Sequence, residues 1–199
     1  MIYETLQIIK EQIEKYFSDI GLNRSIELQN ISFIDNVNDE ERGLNEKLIL
    51  SLIRLEEEVT LKNSTHIKIN DNKSEYRNPP VHLNLYLLIS ANFKNYETSL
   101  ITLSKSIEFF QGKKVFNASN TTYNRDNVAI EVLNDFRFNL EIYSPSFEEL
   151  NNIWGTLGGK QLPSVIYKIQ LIEIERDNKL GESELITHIE GTLKELRKS

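Results

Sequence analysis

One stretch of the sequence limits the fold more than any other, because its apolar residues alternate strictly. Between residues 81 and 93, every odd-numbered position is apolar: Val81, Leu83, Leu85, Leu87, Ile89, Ala91 and Phe93. The even-numbered positions are His82, Asn84, Tyr86, Leu88, Ser90 and Asn92, of which Leu88 alone is aliphatic. Successive side chains of a β-strand point to opposite faces of the sheet. The stretch is therefore predicted to be a strand with one apolar face and one half-polar face.

Three helices are predicted around this strand. The first ends at Gly21 and has apolar residues at spacings of three and four: Ile2, Leu6, Ile9, Ile13, Tyr16 or Phe17, and Ile20. The second begins after the capping residue Asn95 and ends at Gly112, which is predicted to adopt a left-handed conformation. Its predicted apolar stripe is Tyr96, Leu100, Leu103, Ile107 and Phe110. Ser146 and Glu149 have the spacing of a capping box and begin the third helix, whose predicted stripe is Phe147, Leu150, Trp154 and Leu157.

The first half of the chain contains three more predicted strands. Residues 25–34 form one of them. Residues 47–58 form the next, which is apolar on both faces over 48–53 apart from a serine, as is typical of an interior strand. A short strand is predicted around Ile67 and Ile69, within an otherwise polar segment.

Two further strands are predicted in the second half. The segment 135–143 alternates, and the side chains predicted to point inward are Phe136, Phe138, Leu140 and Ile142. Residues 164–175 form the last long strand, in which the apolar phase changes partway. This change predicts either a β-bulge near Leu171 or burial of the strand on both faces.

The order of these elements predicts one domain of the α/β (α+β) class, with a mixed β-sheet flanked by helices. The domain is expected to cover residues 1–176. Residues 177–199 are expected to form a C-terminal tail, for which helix and strand both remain open. The tail has helical charge spacing, but Gly191 interrupts the pattern and its Thr and Ile residues also suit a strand.

Composition excludes several functional classes. The 199 residues carry a formal net charge of −7 and scattered basic residues, which argues against nucleic-acid binding. The absence of cysteine excludes disulfides, thiolate metal sites and a cysteine nucleophile. The N-terminus has no signal-peptide pattern, and no apolar run is long enough to cross a bilayer. The sequence therefore predicts a soluble, cytoplasmic protein without a membrane partner.

A glycine-rich segment, 155–160, superficially resembles a phosphate-binding loop. A true loop of this kind reads G-x-x-x-x-G-K-[ST] and connects a strand to a following helix. Here Gly155 and Gly159 enclose three residues, Gln161 replaces the hydroxyl residue, and a helix precedes the glycines. Gly158 and Gly159 are therefore interpreted as a tight turn, with Pro163 beginning the next strand.

No residue pattern indicates catalysis, a cofactor or a metal. His66, His82 and His188 are far apart in sequence, and His82 is predicted to have a structural role. The acidic runs 39–41 and 56–58 are interpreted as solvated surface, because calcium sites need spaced carboxylates around a glycine turn.

Two blocks of the sequence resemble a known family. Residues 79–116 contain a Pro-Pro strand with L-N-L-Y at its centre and a helix ending in F-F-Q, and residues 148–175 contain L-N-N-x-W…G…L-P-S-x-x-Y-K. Together they resemble the tail-terminator, or cap, proteins of contractile injection systems of the antifeeding-prophage and Photorhabdus virulence cassette type. Weaker similarity in the N-terminal helix and in LILSLIRLEEE extends the resemblance over residues 1–176.

This resemblance implies a phage tail-terminator-like fold and a non-enzymatic role. Members of the family form a six-membered ring on the distal end of the inner tube and hold the last layer of the sheath. The implied partners are further copies of the chain (a homo-hexamer), the inner tube protein and the sheath protein, in a particle assembled in the cytoplasm. Loops 35–42 and 117–127 are expected to supply ring contacts, and an exposed sheet edge is a candidate acceptor for a sheath strand. Two alternatives remain open: an adaptor of such a particle, and a hydrolase using His82 with a distant carboxylate.

Overall fold

The computed structural model describes residues 1–34, 43–58, 67–70, 73–78, 80–124, 136–174 and 179–184. The three helices are α1 (Ile2–Asp19), α2 (Tyr96–Gly112) and α3 (Phe147–Thr156). The described strands are β1 (Ser25–Leu28), β2 (Lys47–Glu57), β3 (Ile67–Asn70), β4 (Lys73–Arg77), β5 (Val81–Asn92), β6 (Val115–Asn117), β7 (Arg137–Tyr143), β8 (Ser164–Ile174) and β9 (Lys179–Glu184).

The described strands form two sheets. The larger has the order β1-β2-β5-β8-β7-β6. Its β1–β2 pair is parallel and its other pairs are antiparallel. The smaller sheet has the order β3-β4-β9 and is antiparallel. The predicted mixed sheet flanked by helices is confirmed.

The large sheet is covered on both faces, and β5 supplies the centre of each core. Leu85, Leu87 and Ile89 belong to the core that also contains the buried face of α1 and Phe110 of α2. Tyr86 and Leu88, from the opposite face of β5, belong to a second core, which contains Trp154 of α3. The face that the sequence marks as half-polar is therefore buried by α3.

The smaller sheet contains the short strand predicted around Ile67 and Ile69, which is β3. The sequence did not identify its partners β4 and β9. β9 forms the first described part of the C-terminal tail. Residues 185–199 and loop 35–42 lie outside the described residues, so the conformation of the rest of the tail stays a prediction.

The strand predicted over residues 25–34 is shorter than expected, because the chain leaves β1 after Leu28 and makes a 3₁₀ turn at Ile31–Phe33. Asn30 caps this turn through its side-chain oxygen, which accepts a hydrogen bond from the Ser32 N–H at 3.0 Å. The Ser51 Oγ on β2 accepts another from the Ile31 N–H at 3.1 Å. These polar partners replace the strand ladder at this point.

The bulge predicted near Leu171 is confirmed. Leu83 of β5 pairs with Ile172, whereas Leu85 pairs with Ile169, so β8 carries one extra residue between these two pairs. A second bulge, not predicted, lies in β2 at Ile53. Each bulge changes which side chains face a given side of the sheet.

The stripe predicted for α2 is wrong in part. Phe110 is buried and Leu103 packs against the core as predicted, but Tyr96 and Leu100 are exposed, and Ser99, Thr102 and Ser106 are buried. The hydroxyls of Thr102 and Ser106 donate to carbonyl oxygens one turn earlier, at 2.8 and 2.9 Å, so their burial leaves no unpaired donor. These small side chains allow α2 to lie on the sheet, while Tyr96, Leu100 and Ile101 stay outside.

Several predictions for single residues are also wrong. Gly112 is the last residue of α2, but the left-handed glycines in the described chain are Gly21, Gly158 and Gly159. α2 ends instead with Lys113 in an extended conformation. Of the other residues predicted to face the core, Ile20, Ile142 and Phe147 are exposed.

Candidate interaction surfaces

The glycine segment is a helix C-terminus followed by a turn, as predicted. Gly158 and Gly159 have φ angles of 109° and 79°. The Gly159 N–H donates to the Trp154 carbonyl oxygen at 2.7 Å, which closes the end of α3. The carbonyl of Pro163 then accepts a hydrogen bond from the Ala91 N–H at 2.9 Å as the chain enters β8. The Gly159 N–H is therefore already hydrogen-bonded at the end of the helix and does not point toward a site for an anion.

Of the residues considered for chemistry, the structure describes His82 and the acidic run 56–58. His82 is half-buried on β5, and its carbonyl oxygen accepts a hydrogen bond from the Glu58 N–H at 2.8 Å. His66, His188 and the acidic run 39–41 lie outside the described residues. Within the described residues there is no group of three or more His, Cys, Asp or Glu side chains placed to hold a metal ion.

The acidic run 56–58 is more than solvated surface, which corrects that interpretation. The Tyr86 hydroxyl, on a side chain only 7% exposed, donates to Glu56 Oε2 at 2.6 Å. The buried Asn84 donates through Nδ2 to Glu58 Oε2 at 2.9 Å. These carboxylates therefore satisfy two of the polar groups that β5 buries on the α3 side of the sheet, those of Asn84 and Tyr86.

A slot lies beside these residues, between the sheet and α3. Its volume is about 320 Å³, and its lining combines apolar residues with Arg54, Tyr86, Tyr143 and Glu149. The rings of Tyr86 and Tyr143 meet edge to face with centroids 5.1 Å apart. The guanidinium carbon of Arg54 lies 5.3 Å from the centre of the Tyr86 ring. Sequence reasoning missed this slot because its walls come from β2, β5, β7 and α3.

Hydrogen bonds and burial shift the pKa values of two tyrosines and one glutamate that line the slot. The bond to Glu56, together with burial, raises the pKa of Tyr86 to about 12. Burial, with a contribution from Glu149, also raises the pKa of Tyr143. The Ser146 backbone N–H holds the pKa of Glu149 below its usual value. All three groups therefore keep their ordinary charge states near neutral pH, and none has the shifted affinity expected of a proton-transfer catalyst.

The second loop singled out in the sequence, 117–127, is described as far as residue 124. The Gln12 side chain of α1 donates to the Thr122 carbonyl oxygen at 2.6 Å, and Glu11 Oε2 accepts from the Asn124 N–H at 2.9 Å. Lys113 bridges Gln12 Oε1 and the Asn120 carbonyl oxygen at 2.8 and 3.0 Å. This part of the loop is tied to α1, and its proposed role in ring contacts stays a prediction.

Exposed apolar side chains occur on both sides of the large sheet. On α2, Tyr96 is 66% exposed and Ile101 is 47% exposed. Phe147, at the start of α3, is 93% exposed. Contiguous exposed apolar patches are typical of protein–protein contacts, whereas single exposed apolar side chains are ordinary. In the described part of the chain, no helix has the length and apolar character needed to cross a membrane.

Comparison with known proteins gives two solved structures of the same fold. A cryo-EM structure described as the sheath/tube terminator of the PVC extracellular contractile injection system, in its extended state, matches 99% of this chain with a TM-score of 0.61 and 13% identity. A cryo-EM structure of the anti-feeding prophage cap, described as a tube-terminating cap, matches 92% of this chain with a TM-score of 0.55 and 14% identity.

The chain spans 64% and 59% of the lengths of these two proteins. No curated protein sequence matches the chain significantly. Residues 4–188, in contrast, match the family described as the Pvc16 N-terminal domain. The match covers nearly the whole chain, and the chain therefore belongs to the Pvc16 N-terminal domain family.

Proposed function

We propose that this protein is a structural cap that terminates the tail of a contractile, phage-tail-like injection particle. In this role it ends the inner tube and anchors the last layer of the sheath. The observation that carries the proposal is the likeness of 99% of the chain to a protein described as a sheath/tube terminator. Membership of the Pvc16 N-terminal domain family supports it independently of the fold.

The proposed cap is a ring of six copies that acts without catalysis and is assembled in the cytoplasm. A tube built by one repeated head-to-tail contact has no intrinsic end, since each added layer presents the surface that the next one needs. A terminator must match this surface on one side and differ from it on the other. The formal charge of −7 opposes stacking of one cap on another.

For sheath anchoring we propose strand addition at the edge of β2. β1 pairs with β2 only over Lys47–Leu50, whereas β2 continues to Glu57. Among the described residues, no strand pairs with the β1 side of Leu52 or Leu55. A strand from another protein adds to such an edge by main-chain hydrogen bonds. The bulge at Ile53 lies within this edge, and bulges limit non-specific strand pairing.

The test is deletion of the gene in cells that assemble the particle, followed by electron microscopy. We expect tubes of uneven length, frayed or prematurely contracted sheaths, and few complete particles. Complementation with the intact gene should restore closed ends. Particles of normal length with closed distal ends in the deletion strain would contradict the proposed role. Normal ends together with reduced particle numbers would favour the assembly adaptor instead.

A further inference from the structure

Phe147 is a large apolar side chain that the fold presents to solvent in a fixed position. It is the first residue of α3 and is 93% exposed. The capping box holds the helix start around it: Ser146 Oγ accepts from the Glu149 N–H at 3.2 Å, and Glu149 Oε2 accepts from the Ser146 N–H at 2.8 Å. A preorganised aromatic side chain is the typical anchor of a protein interface, because little conformational entropy is lost when it is buried.

The opposite face of the sheet contains a cavity of suitable size and chemistry. Its volume is about 340 Å³, and it lies between α2 and the strands β7 and β8. Its apolar walls come from Ile107, Phe110, Leu140, Ile142 and Tyr167. Ile142 is 54% exposed and marks the mouth of the cavity. An aromatic side chain is of the size and polarity that such a cavity takes.

Tyr167 forms part of the apolar wall of this cavity. Its side chain is 4% exposed, and its ring centroid lies 4.6 Å from that of Phe110. A further aromatic ring can pack against such a wall.

The charges around the two features are compatible. Glu148 is exposed and follows Phe147 directly. Lys114 is exposed and lies at the rim of the cavity, near the end of α2. Glu141, on the β7 wall, accepts a hydrogen bond from Gln170 Nε2 at 3.3 Å. Glu148 and Lys114 therefore carry opposite charges, one beside the inserting side chain and one beside the cavity.

We propose that Phe147 of one copy inserts into the α2–β7 cavity of the next copy and forms the contact that closes the cap ring. This inference rests on the proposed function, because it supplies the ring that a cap requires. The side chain and the cavity lie on opposite faces of the sheet, so each copy meets two different neighbours. Such a contact is head-to-tail, and it yields a ring when its rotation closes.

The size of the contact also predicts when the ring forms. One aromatic side chain buries about 150–250 Å², whereas a stable interface buries about 800 Å² per partner. Insertion of Phe147 alone therefore does not hold free copies together at low concentration. The ring forms where the tube end adds further contact area and brings the copies together.

Disulfide trapping tests the contact directly, since the native chain contains no cysteine. Glu148→Cys, which keeps Phe147 in place, and Ile142→Cys are prepared as separate proteins of different tagged mass, mixed at high concentration and mildly oxidised. We expect the mixed disulfide to exceed either homodimer by about tenfold, because docking raises the effective concentration of the two thiols. Tyr96→Cys, which is also exposed but lies outside the cavity, replaces Ile142→Cys in the control. Equal yields in the two mixtures would overturn the proposal.

A second measurement separates this inference from the proposed function. Phe147→Ala and Tyr96→Ala are each expressed in the deletion strain, and both should fold, since each removes an exposed side chain. We expect Phe147→Ala to reproduce the open, irregular ends of the deletion and Tyr96→Ala to restore closed ends. If particles from the deletion strain have open ends but particles containing the Phe147→Ala variant have closed ends, the proposed ring contact is wrong and the cap function stands. If deletion itself leaves the ends closed, the cap function fails first.

Discussion

The two tyrosines of the α3 slot provide a matched test of how the half-polar face of β5 is stabilised. The Tyr86 hydroxyl donates to Glu56 at 2.6 Å from a side chain that is 7% exposed. The Tyr143 hydroxyl donates to Glu149 at 3.3 Å at the surface of the slot. Replacement of either residue by phenylalanine keeps the edge-to-face ring contact and removes one hydroxyl. The difference between the two variants therefore reports on the hydrogen bonds and not on ring packing.

Tyr86→Phe is expected to lower the free energy of unfolding by about 1.5–2 kcal/mol. A hydrogen bond to a charged acceptor contributes about 1.5–3 kcal/mol, and we take the lower part of this range because the Glu56 side chain is 38% exposed and keeps some hydration. Tyr143→Phe should cost less than about 0.5 kcal/mol, because its bond is long and close to solvent. Urea unfolding followed by circular dichroism measures both values, and the dependence on urea should be unchanged.

The same pair predicts a difference at alkaline pH. The folded state raises the pKa of Tyr86 to about 12, so it favours the neutral phenol. The stability from this group is complete below the ordinary tyrosine pKa of about 10 and is lost as the pH rises toward 12. Tyr167 has a raised pKa as well, but it is present in both proteins. The wild type should therefore lose more stability than Tyr86→Phe between pH 10 and 12. Parallel pH profiles, or a Tyr143→Phe cost equal to that of Tyr86→Phe, would refute the reasoning.

Three other substitutions test local features of the fold by the same unfolding measurement. Gly158→Val should destabilise the protein, because a β-branched residue is strained at the φ of 109° found there. Gly155→Ala should be neutral or stabilising, because Gly155 lies in α3 and nothing lies within 4 Å of the added Cβ. Equal losses of stability in the two variants would contradict the turn assignment. Ser146→Ala should cost about 1 kcal/mol by removing the cap of α3, and no loss would mean that the capping box is not formed in solution. Trp154→Ala should cost about 3–5 kcal/mol through the cavity it leaves. Trp154→Phe should cost much less, since no described residue accepts a hydrogen bond from the indole N–H.

The sequence predicted the elements whose signal is local. The strand alternation in β5, the Asn95 cap and the Ser146 capping box all concern residues within a few positions of one another, and the structure confirms each. The bulge in β8 was also readable, because one extra residue shifts the apolar phase of the same strand. Signals of this kind depend on backbone geometry and need no knowledge of which elements pack together.

The candidate surfaces could not be predicted in this way, because they depend on tertiary packing. The stripe expected for α2 assumed that the largest apolar residues face the core, yet Thr102 and Ser106 lie against the sheet and Leu100 is exposed. Burying a hydroxyl that donates a hydrogen bond to a carbonyl of its own helix costs little free energy. Hydrophobicity and helix propensity alone therefore underestimate how often such residues are buried. Phe147 was assigned to the core by the same reasoning. The slot and the cavity are each lined by residues from several elements that are far apart in sequence. The sequence spacing of these residues does not indicate that they lie side by side in the fold.

The exposure of Phe147 bears on function. A chain that folds alone is expected to bury its large apolar side chains, and Phe147 departs from that rule. A single exposed apolar residue is ordinary, but Phe147 sits on a capped helix start, and a cavity of aromatic size opens on the other face of the sheet. The departure becomes consistent if the sequence is selected for the assembled ring and not for the isolated chain. Burial of Phe147 in the ring would then complete the separation of polar and apolar residues at this position.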